Sequence, residues 1–139
     1  MELIKSCGFV AYTAIDGEIK YLLIKALNGD VGFPKGHMEI GESEIETAMR
    51  ELYEETGAEI EHITDMRRQI EYEMPAKNAI KQAVYFLGNI KEPVVLTPQA
   101  SEIADVRLLA YDEALEWLTF AETKRILTEA DRYIRGRGK

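Results

Sequence analysis

The sequence has one cysteine and a shortage of positive charge, and both features narrow the possible functions. Cys7 has no second cysteine with which to form an internal disulfide, so we expect a cytoplasmic protein in which this thiol is a small buried residue. The 17 basic residues are outnumbered by 25 acidic ones, which gives a net charge of −8. Nonspecific binding to nucleic acid requires a basic surface, so no nucleic-acid partner is expected.

Long apolar runs are also missing. No segment approaches the roughly 18 consecutive apolar residues that a membrane-spanning helix needs, and residues 1–10 lack the features of a signal peptide. We therefore expect no association with a membrane. With 139 residues, of which 46% are hydrophobic, the chain can bury a substantial core, and we predict a single domain over residues 1–139.

The hydrophobic pattern predicts both strands and helices. Two strands are expected on either side of a turn at Asp16-Gly17, followed by a long loop over residues 28–41. Further strands are predicted at 60–74, 79–90 and 104–109, and further helices at 111–118 and 121–134. Because strands and helices do not alternate regularly, we expect an α+β fold with helices packed on a mixed sheet.

One more helix is predicted by unusually clear end signals. Ser43 and Glu46 have the spacing of a capping box, and Gly57 stands where such a helix ends. Helical spacing predicts one apolar stripe, formed by Ile45, Ala48, Met49, Leu52 and Thr56. Three acidic residues, Glu51, Glu54 and Glu55, are predicted to share one accessible side, away from this stripe.

These three glutamates, Glu51, Glu54 and Glu55, are close neighbours on the helix. Like charges at such spacing destabilise a helix by roughly 0.2–0.5 kcal/mol per pair. A divalent cation converts this repulsion into shared coordination, and ligand sets made only of oxygen suit magnesium or manganese. The pattern therefore predicts a site for Mg²⁺ or Mn²⁺, with one carboxylate able to accept a proton from water. The alternative is an ordinary solvated helix face.

Residues 36–58, GHMEIGESEIETAMRELYEETGA, resemble the signature of the Nudix hydrolases, G-x5-E-x7-R-E-U-x-E-E-x-G-U, in which U is apolar. The matching positions are Gly36, Glu42, Arg50, Glu51, Leu52, Glu54, Glu55, Gly57 and Ala58. The resemblance implies an α/β/α sandwich with a mixed sheet between helices. It also implies hydrolysis of a nucleoside diphosphate linked to another group, with magnesium or manganese as cofactor.

The resemblance further implies roles for the residues of the signature. Glu54 and Glu55 would be the principal metal ligands, together with the carbonyl oxygen of Gly36. Glu51 would be the general base or an additional metal ligand. Two residues would brace the loop and the helix, Glu42 and Arg50. The alternative for the arginine is direct contact with phosphate.

Outside the signature, the chain resembles the asymmetric diadenosine tetraphosphate hydrolases over nearly its full length. The segments that carry this resemblance are SCGFVAY at 6–12, FPKGHMEIGE at 33–42, SEI at 101–103 and TFAETK at 119–124. It implies cleavage of a dinucleoside polyphosphate, with ATP and AMP formed from diadenosine tetraphosphate. The alternatives are a nucleoside triphosphate or RNA 5′-end pyrophosphohydrolase and a non-catalytic nucleotide-sensing module. The expected partner is thus a small nucleotide, and the expected assembly is a monomer or homodimer.

Several residues outside the signature are implied to contact metal or substrate. Glu102 would be a further metal ligand, and its alternative is an exposed loop acid. Polyphosphate contacts are expected from Lys35, His37, Tyr72, Lys77 and Lys81. Phe120 or Tyr85 would stack on an adenine, and the alternative for each is packing in the core. Members of this family often carry a tryptophan shortly before the PKG segment, whereas this chain has Val31 and Gly32 near that place.

Overall fold

The computed structural model describes the backbone of residues 1–137 and the side chains of residues 1–136. Its strands are β1 (Glu2–Ile15), β2 (Glu18–Ala26), β3 (Val31–Gly32), β4 (Lys35–His37), β5 (Ile60–Met74), β6 (Ala79–Ile90) and β7 (Ile103–Ala110). Its α-helices are α1 (Glu44–Thr56), α2 (Tyr111–Trp117) and α3 (Ala121–Arg137). The predicted strands and helices are confirmed to within a few residues. In the described part of the chain, no helix has both the length and the apolar character needed to cross a bilayer.

The strands form one mixed sheet in the order β3-β2-β1-β6-β5. Strand β1 is parallel to β6 and antiparallel to β2, while β4 pairs with β1 and β7 pairs with β2. Helix α1 packs on one face of this sheet, and α2 and α3 supply buried side chains on the other. The predicted α+β sandwich with a mixed sheet between helices is therefore confirmed.

Strand β2 contributes to both cores of the sandwich. Tyr21 and Leu23 belong to the cluster beneath α2 and α3, whereas Leu22 belongs to the cluster beneath α1. The Tyr21 hydroxyl donates a hydrogen bond of 2.6 Å to Asp131 of α3, and this bond fixes the helix over the strand. The continuous apolar run of this strand, residues 21–24, is therefore buried on both faces.

The loop predicted over residues 28–41 contains the two short strands β3 and β4. Their lengths of two and three residues are too small to produce a recognisable alternation in the sequence. In β4, Gly36 pairs with Cys7 of β1, and Cys7 is fully buried as predicted. The segment that precedes α1 is thereby attached to the central strand of the sheet.

The ends of helix α1 agree with the sequence prediction. The Ser43 hydroxyl accepts a hydrogen bond of 3.1 Å from the Glu46 amide, and the Glu46 carboxylate accepts one of 2.8 Å from the Ser43 amide. Gly57 adopts the left-handed conformation that ends the helix, with φ of 78°. The capping box and the glycine stop are both confirmed.

The predicted orientation of α1 is wrong in part. Ile45 and Met49 belong to the predicted apolar stripe but are exposed, whereas Thr47 and Glu55 are buried. Of the predicted stripe, Ala48, Leu52 and Thr56 are buried, so the helix is rotated about its axis relative to the prediction. The prediction that the three glutamates share one accessible side is consequently wrong for Glu55, whose side chain lies on the inner side of the helix.

Candidate active site

A cavity of about 710 Å³ lies at the edge of the core, next to the start of α3. Its walls come from β2, the segment before α1, the inner side of α1, the β5–β6 hairpin and the start of α3. The predicted site residues that line it are Lys35, Glu55, Tyr72, Lys81, Tyr85, Glu102 and Phe120. The fold thus brings together seven residues that are spread over 86 positions of the sequence.

Two of the predicted substrate contacts do not line this cavity. Lys77 is exposed on the turn between β5 and β6. His37 is also exposed, and its backbone carbonyl accepts a hydrogen bond of 3.0 Å from Arg50. Their roles in substrate binding stay predictions.

Arg50 joins the acidic residues of the signature on the outer side of α1. Its guanidinium group donates hydrogen bonds of 2.6 Å to Glu42, 2.6 Å to Glu51 and 2.7 Å to Glu54. The bond from Arg50 is the main reason that the pKa of Glu42 is lowered to about 2. Because these carboxylates and the His37 carbonyl occupy its donors, the geometry favours the bracing role of Arg50 over contact with phosphate.

Gly36 allows the Glu51 carboxylate to approach the backbone closely. A Cβ atom at this position would overlap the carboxylate of Glu51, so any other residue here would displace it. The carboxylate consequently lies against the strand that carries the Gly36 carbonyl. This arrangement brings the Glu51 carboxylate, a predicted metal ligand, next to the residue whose carbonyl is another predicted ligand.

Glu55 is the buried member of the acidic group, with 4% of its surface exposed. Burial and then a hydrogen bond with Glu51 raise the pKa of Glu55 well above its usual range. Two carboxyl groups can share a hydrogen bond only if one of them carries a proton. The pair therefore takes up a proton in place of a second negative charge when no cation is present.

Lys35 faces this acidic pair from the cavity wall. Burial and then the nearby Lys81 ammonium lower the pKa of Lys35 to about 8, while Glu55 and Glu51 act in the opposite direction. Opposite charges are thus held in a partly dehydrated space, where electrostatic interactions are stronger than in water. Such a site is suited to binding a cation and a phosphate next to each other.

The carboxylates fit a divalent metal by their chemistry. Glu51 offers carboxylate oxygens beside Gly36. Glu55 interacts with Glu51, and Glu102 is near enough for its charge to raise the pKa of Glu55 further. Among residues 1–136, no three His, Cys, Asp or Glu side chains converge as a metal site in this conformation. Glu54 instead points to Arg50, with 44% of its side chain exposed.

The aromatic residues of the cavity differ in accessibility. Tyr85 is 2% exposed and packs edge-on against Phe33 at 5.5 Å between ring centroids, so it packs in the core. Phe120 is 49% exposed and Tyr72 is 45% exposed on the cavity wall. Of these rings, Phe120 and Tyr72 can therefore reach a bound molecule.

Sequence reasoning missed some polar residues of the cavity wall. Asn28, Asp30 and Glu122 line it, and the Asn28 side chain accepts a hydrogen bond of 2.9 Å from the Asp30 amide. In the sequence, Asn28 and Asp30 are recognisable only as residues of a long loop, and Glu122 only as part of the segment TFAETK. Neither signal distinguishes a wall residue from an exposed one.

Residues 8–130 match the family model described as the NUDIX domain. The chain belongs to the Nudix hydrolase family. It is 30% identical to mouse bis(5′-nucleosyl)-tetraphosphatase (asymmetrical), over 94% of this chain and 95% of the mouse protein. A crystal structure of a Caenorhabditis elegans Ap4A hydrolase binary complex superposes with a TM-score of 0.85 at 27% identity, covering 96% of this chain and 98% of that one. An RNA pyrophosphohydrolase from a Nitratiruptor species is 32% identical over 63% of each chain.

Replacing Gly36 by alanine in this Nudix hydrolase should abolish most turnover while preserving the fold. The added methyl group displaces the Glu51 carboxylate, and that carboxylate is the mobile end of a side chain. Misplacing a reacting group by about 1 Å lowers the rate on the order of 100-fold. Rates and melting temperatures of Gly36→Ala and of the control Gly136→Ala, where a Cβ meets nothing within 4 Å, test this expectation. Turnover of Gly36→Ala at the parent's rate would contradict it.

Without metal, the free energy of unfolding should fall as the pH rises above the ordinary carboxyl value of 4.5. The raised pKa of Glu55 means that the folded state holds more protons than the unfolded state in this range. The lowered pKa of Lys35 makes the free energy of unfolding rise with pH, but only above its pKa of about 8. Urea unfolding in EDTA between about pH 5 and pH 7.5 measures the dependence. Glu55→Gln should flatten it, and an equal slope in parent and variant would show that Glu55 is not its source.

Proposed function

We propose that this Nudix hydrolase cleaves the polyphosphate chain of dinucleoside polyphosphates, with diadenosine tetraphosphate cut to ATP and AMP. The observation that carries the proposal is the cavity in which Glu55, Lys35, Lys81 and Phe120 meet. Such a cavity offers groups for a cation, for phosphates and for a base at once. The similarity to the mouse and nematode proteins, over nearly the whole of each chain, supports the same substrate class.

The proposed cofactor is Mg²⁺, or Mn²⁺ in its place. Its ligands would be the carboxylates of Glu51, Glu54, Glu55 and Glu102 and the carbonyl oxygen of Gly36. When bound, such a cation neutralises phosphate charge and orients the attacking water. Glu51 is the proposed general base or an additional ligand, while Glu42 and Arg50 hold the loop and the helix together.

The remaining cavity residues bind the substrate in this proposal. Lys35, Lys81 and the Tyr72 hydroxyl donate hydrogen bonds to phosphate oxygens, since a chain of four phosphates needs several donors. The exposed ring of Phe120 stacks on an adenine, and Tyr85 supports the cavity from the core. His37 and Lys77 would contact the parts of the substrate that extend beyond the cavity.

In the proposed reaction, water cleaves one P–O bond within the polyphosphate chain. The water oxygen forms a bond to one phosphorus, the bond from that phosphorus to its bridging oxygen breaks, and the general base takes the proton. We propose that residues 1–139 perform this reaction as one cytoplasmic domain, a monomer or homodimer. It requires no nucleic acid and no membrane.

A second candidate is a pyrophosphohydrolase acting on nucleoside triphosphates or on RNA 5′ ends. The 32% identity to the Nitratiruptor RNA pyrophosphohydrolase favours it, although this match covers 63% of each chain. A nucleotide-sensing module without activity is less well supported, because every acidic residue of the signature is present.

Chromatography of the reaction products separates these candidates. With magnesium, diadenosine tetraphosphate should yield equal amounts of ATP and AMP, and it should react faster than nucleoside triphosphates, nucleotide sugars or 5′-triphosphorylated RNA. Glu55→Gln should lose nearly all of this activity, whereas the exposed Glu59→Gln should keep it. Monophosphate and pyrophosphate from a nucleoside triphosphate as the faster reaction would establish the second candidate instead.

A further inference from the structure

Ser6 carries a hydroxyl group that is buried without a partner. Its side chain has no exposed surface. Among the side chains of residues 1–136, its Oγ is the one buried oxygen or nitrogen without a hydrogen bond. Leaving a buried hydroxyl unpaired costs free energy, and native proteins contain few such groups. Its presence therefore calls for a physical explanation.

Strand pairing places this hydroxyl on the cavity side of the sheet. Ser6 in β1 is paired with Ala83 in β6, and Ala83 is paired with Ile70 in β5. Side chains of directly paired residues point to the same face of a sheet. Because Ile70 lines the cavity, Ser6 points toward that same side.

The two cavity lysines occupy strand positions on either side of Ser6. Lys35 pairs with Gly8 and Lys81 pairs with Ile4, so Ser6 lies midway between these positions on the same face of β1. The Lys35 side chain lies over Gly8, where an added Cβ would be 2.6 Å from Lys35 Cβ. Both lysines line the cavity, close enough for the Lys81 ammonium to lower the pKa of Lys35. Since β1 runs between β4 and β6, the line that joins the Cα atoms of the two lysines crosses β1 near Ser6.

We propose that Ser6 is a positioning residue for this lysine pair. Its hydroxyl oxygen accepts a hydrogen bond from Lys35 or Lys81 when a polyphosphate occupies the cavity. A lysine ammonium group has three donors and no acceptor, and a hydroxyl supplies the acceptor that the pair lacks. Holding one ammonium in place directs its other donors toward phosphate and reduces the entropy lost on binding. The inference depends on the proposed function only in that the ligand contains a chain of phosphates.

Ser6→Ala should change affinity and stability in opposite directions. Loss of the acceptor should weaken binding of inorganic tripolyphosphate, measured by calorimetry with magnesium present, by about two- to tenfold. Removal of an unpaired buried hydroxyl should raise the melting temperature by about 2–4 °C. A serine that only supports the fold would not produce a weaker binder that is also more stable.

Double-mutant cycles identify the donor. The effect of Ser6→Ala on tripolyphosphate affinity should disappear in a Lys35→Met or a Lys81→Met background, depending on which lysine donates. The proposal would be overturned if Ser6→Ala binds tripolyphosphate as tightly as the parent. It would also be overturned if Ser6→Ala lowers the affinity equally in both lysine backgrounds, or if the parent does not bind tripolyphosphate. If the alanine variant does not fold, the tripolyphosphate affinity of Ser6→Cys is measured instead. Its thiol is a weaker acceptor of similar shape, so the affinity should again be lower than that of the parent.

Failure of the proposed function gives a different result from failure of this inference. A parent that binds tripolyphosphate through the Ser6–lysine arrangement but yields no ATP and AMP contradicts the dinucleoside substrate alone. A parent that yields ATP and AMP, with Ser6→Ala binding tripolyphosphate as tightly as the parent, contradicts the role of Ser6 alone.

Discussion

The hydrogen-bonded pair of Glu51 and Glu55 is the interaction on which the candidate site depends. One carboxyl group of the pair is buried and the other lies against the Gly36 backbone. Without a cation, burial and the adjacent Glu51 carboxylate raise the pKa of Glu55, which favours a proton on this pair over a second negative charge. The positive charge of Lys35 reduces the cost of burial, and Arg50 fixes the outer carboxylates. The pair thus offers carboxylate ligands to a cation, next to the cavity lysines that can bind phosphates.

The fold keeps this pair in place through two attachments. The capping box begins α1 at Ser43, and packing of Leu52 against the sheet sets the rotation of the helix so that Glu55 turns inward. The pairing of Gly36 with Cys7 holds the preceding segment on the central strand. Stability of the sandwich and geometry of the site therefore rest on the same contacts, and no separate scaffold is needed to position the acids.

Local sequence signals predicted much of the fold and of the site. The ends of α1 and the β5–β6 hairpin were predictable because caps, turns and alternation depend on near neighbours. The burial of Glu55 was not, because the rotation of a helix depends on contacts with strands that are distant in sequence. The placement of Lys35 and Lys81 on either side of Ser6 was not predictable for the same reason, since it follows from the pairing of β4, β1 and β6.

Calorimetric titration of the protein with Mg²⁺ in two buffers of different ionisation enthalpy measures whether a cation replaces a proton on the Glu51–Glu55 pair. Near pH 7, cation uptake should release a proton from this pair, because metal ligands must be deprotonated. Glu55→Gln should bind the cation weakly and release no proton. Cation uptake with no proton release, or identical titrations of parent and variant, would show that the pair is not the cation site.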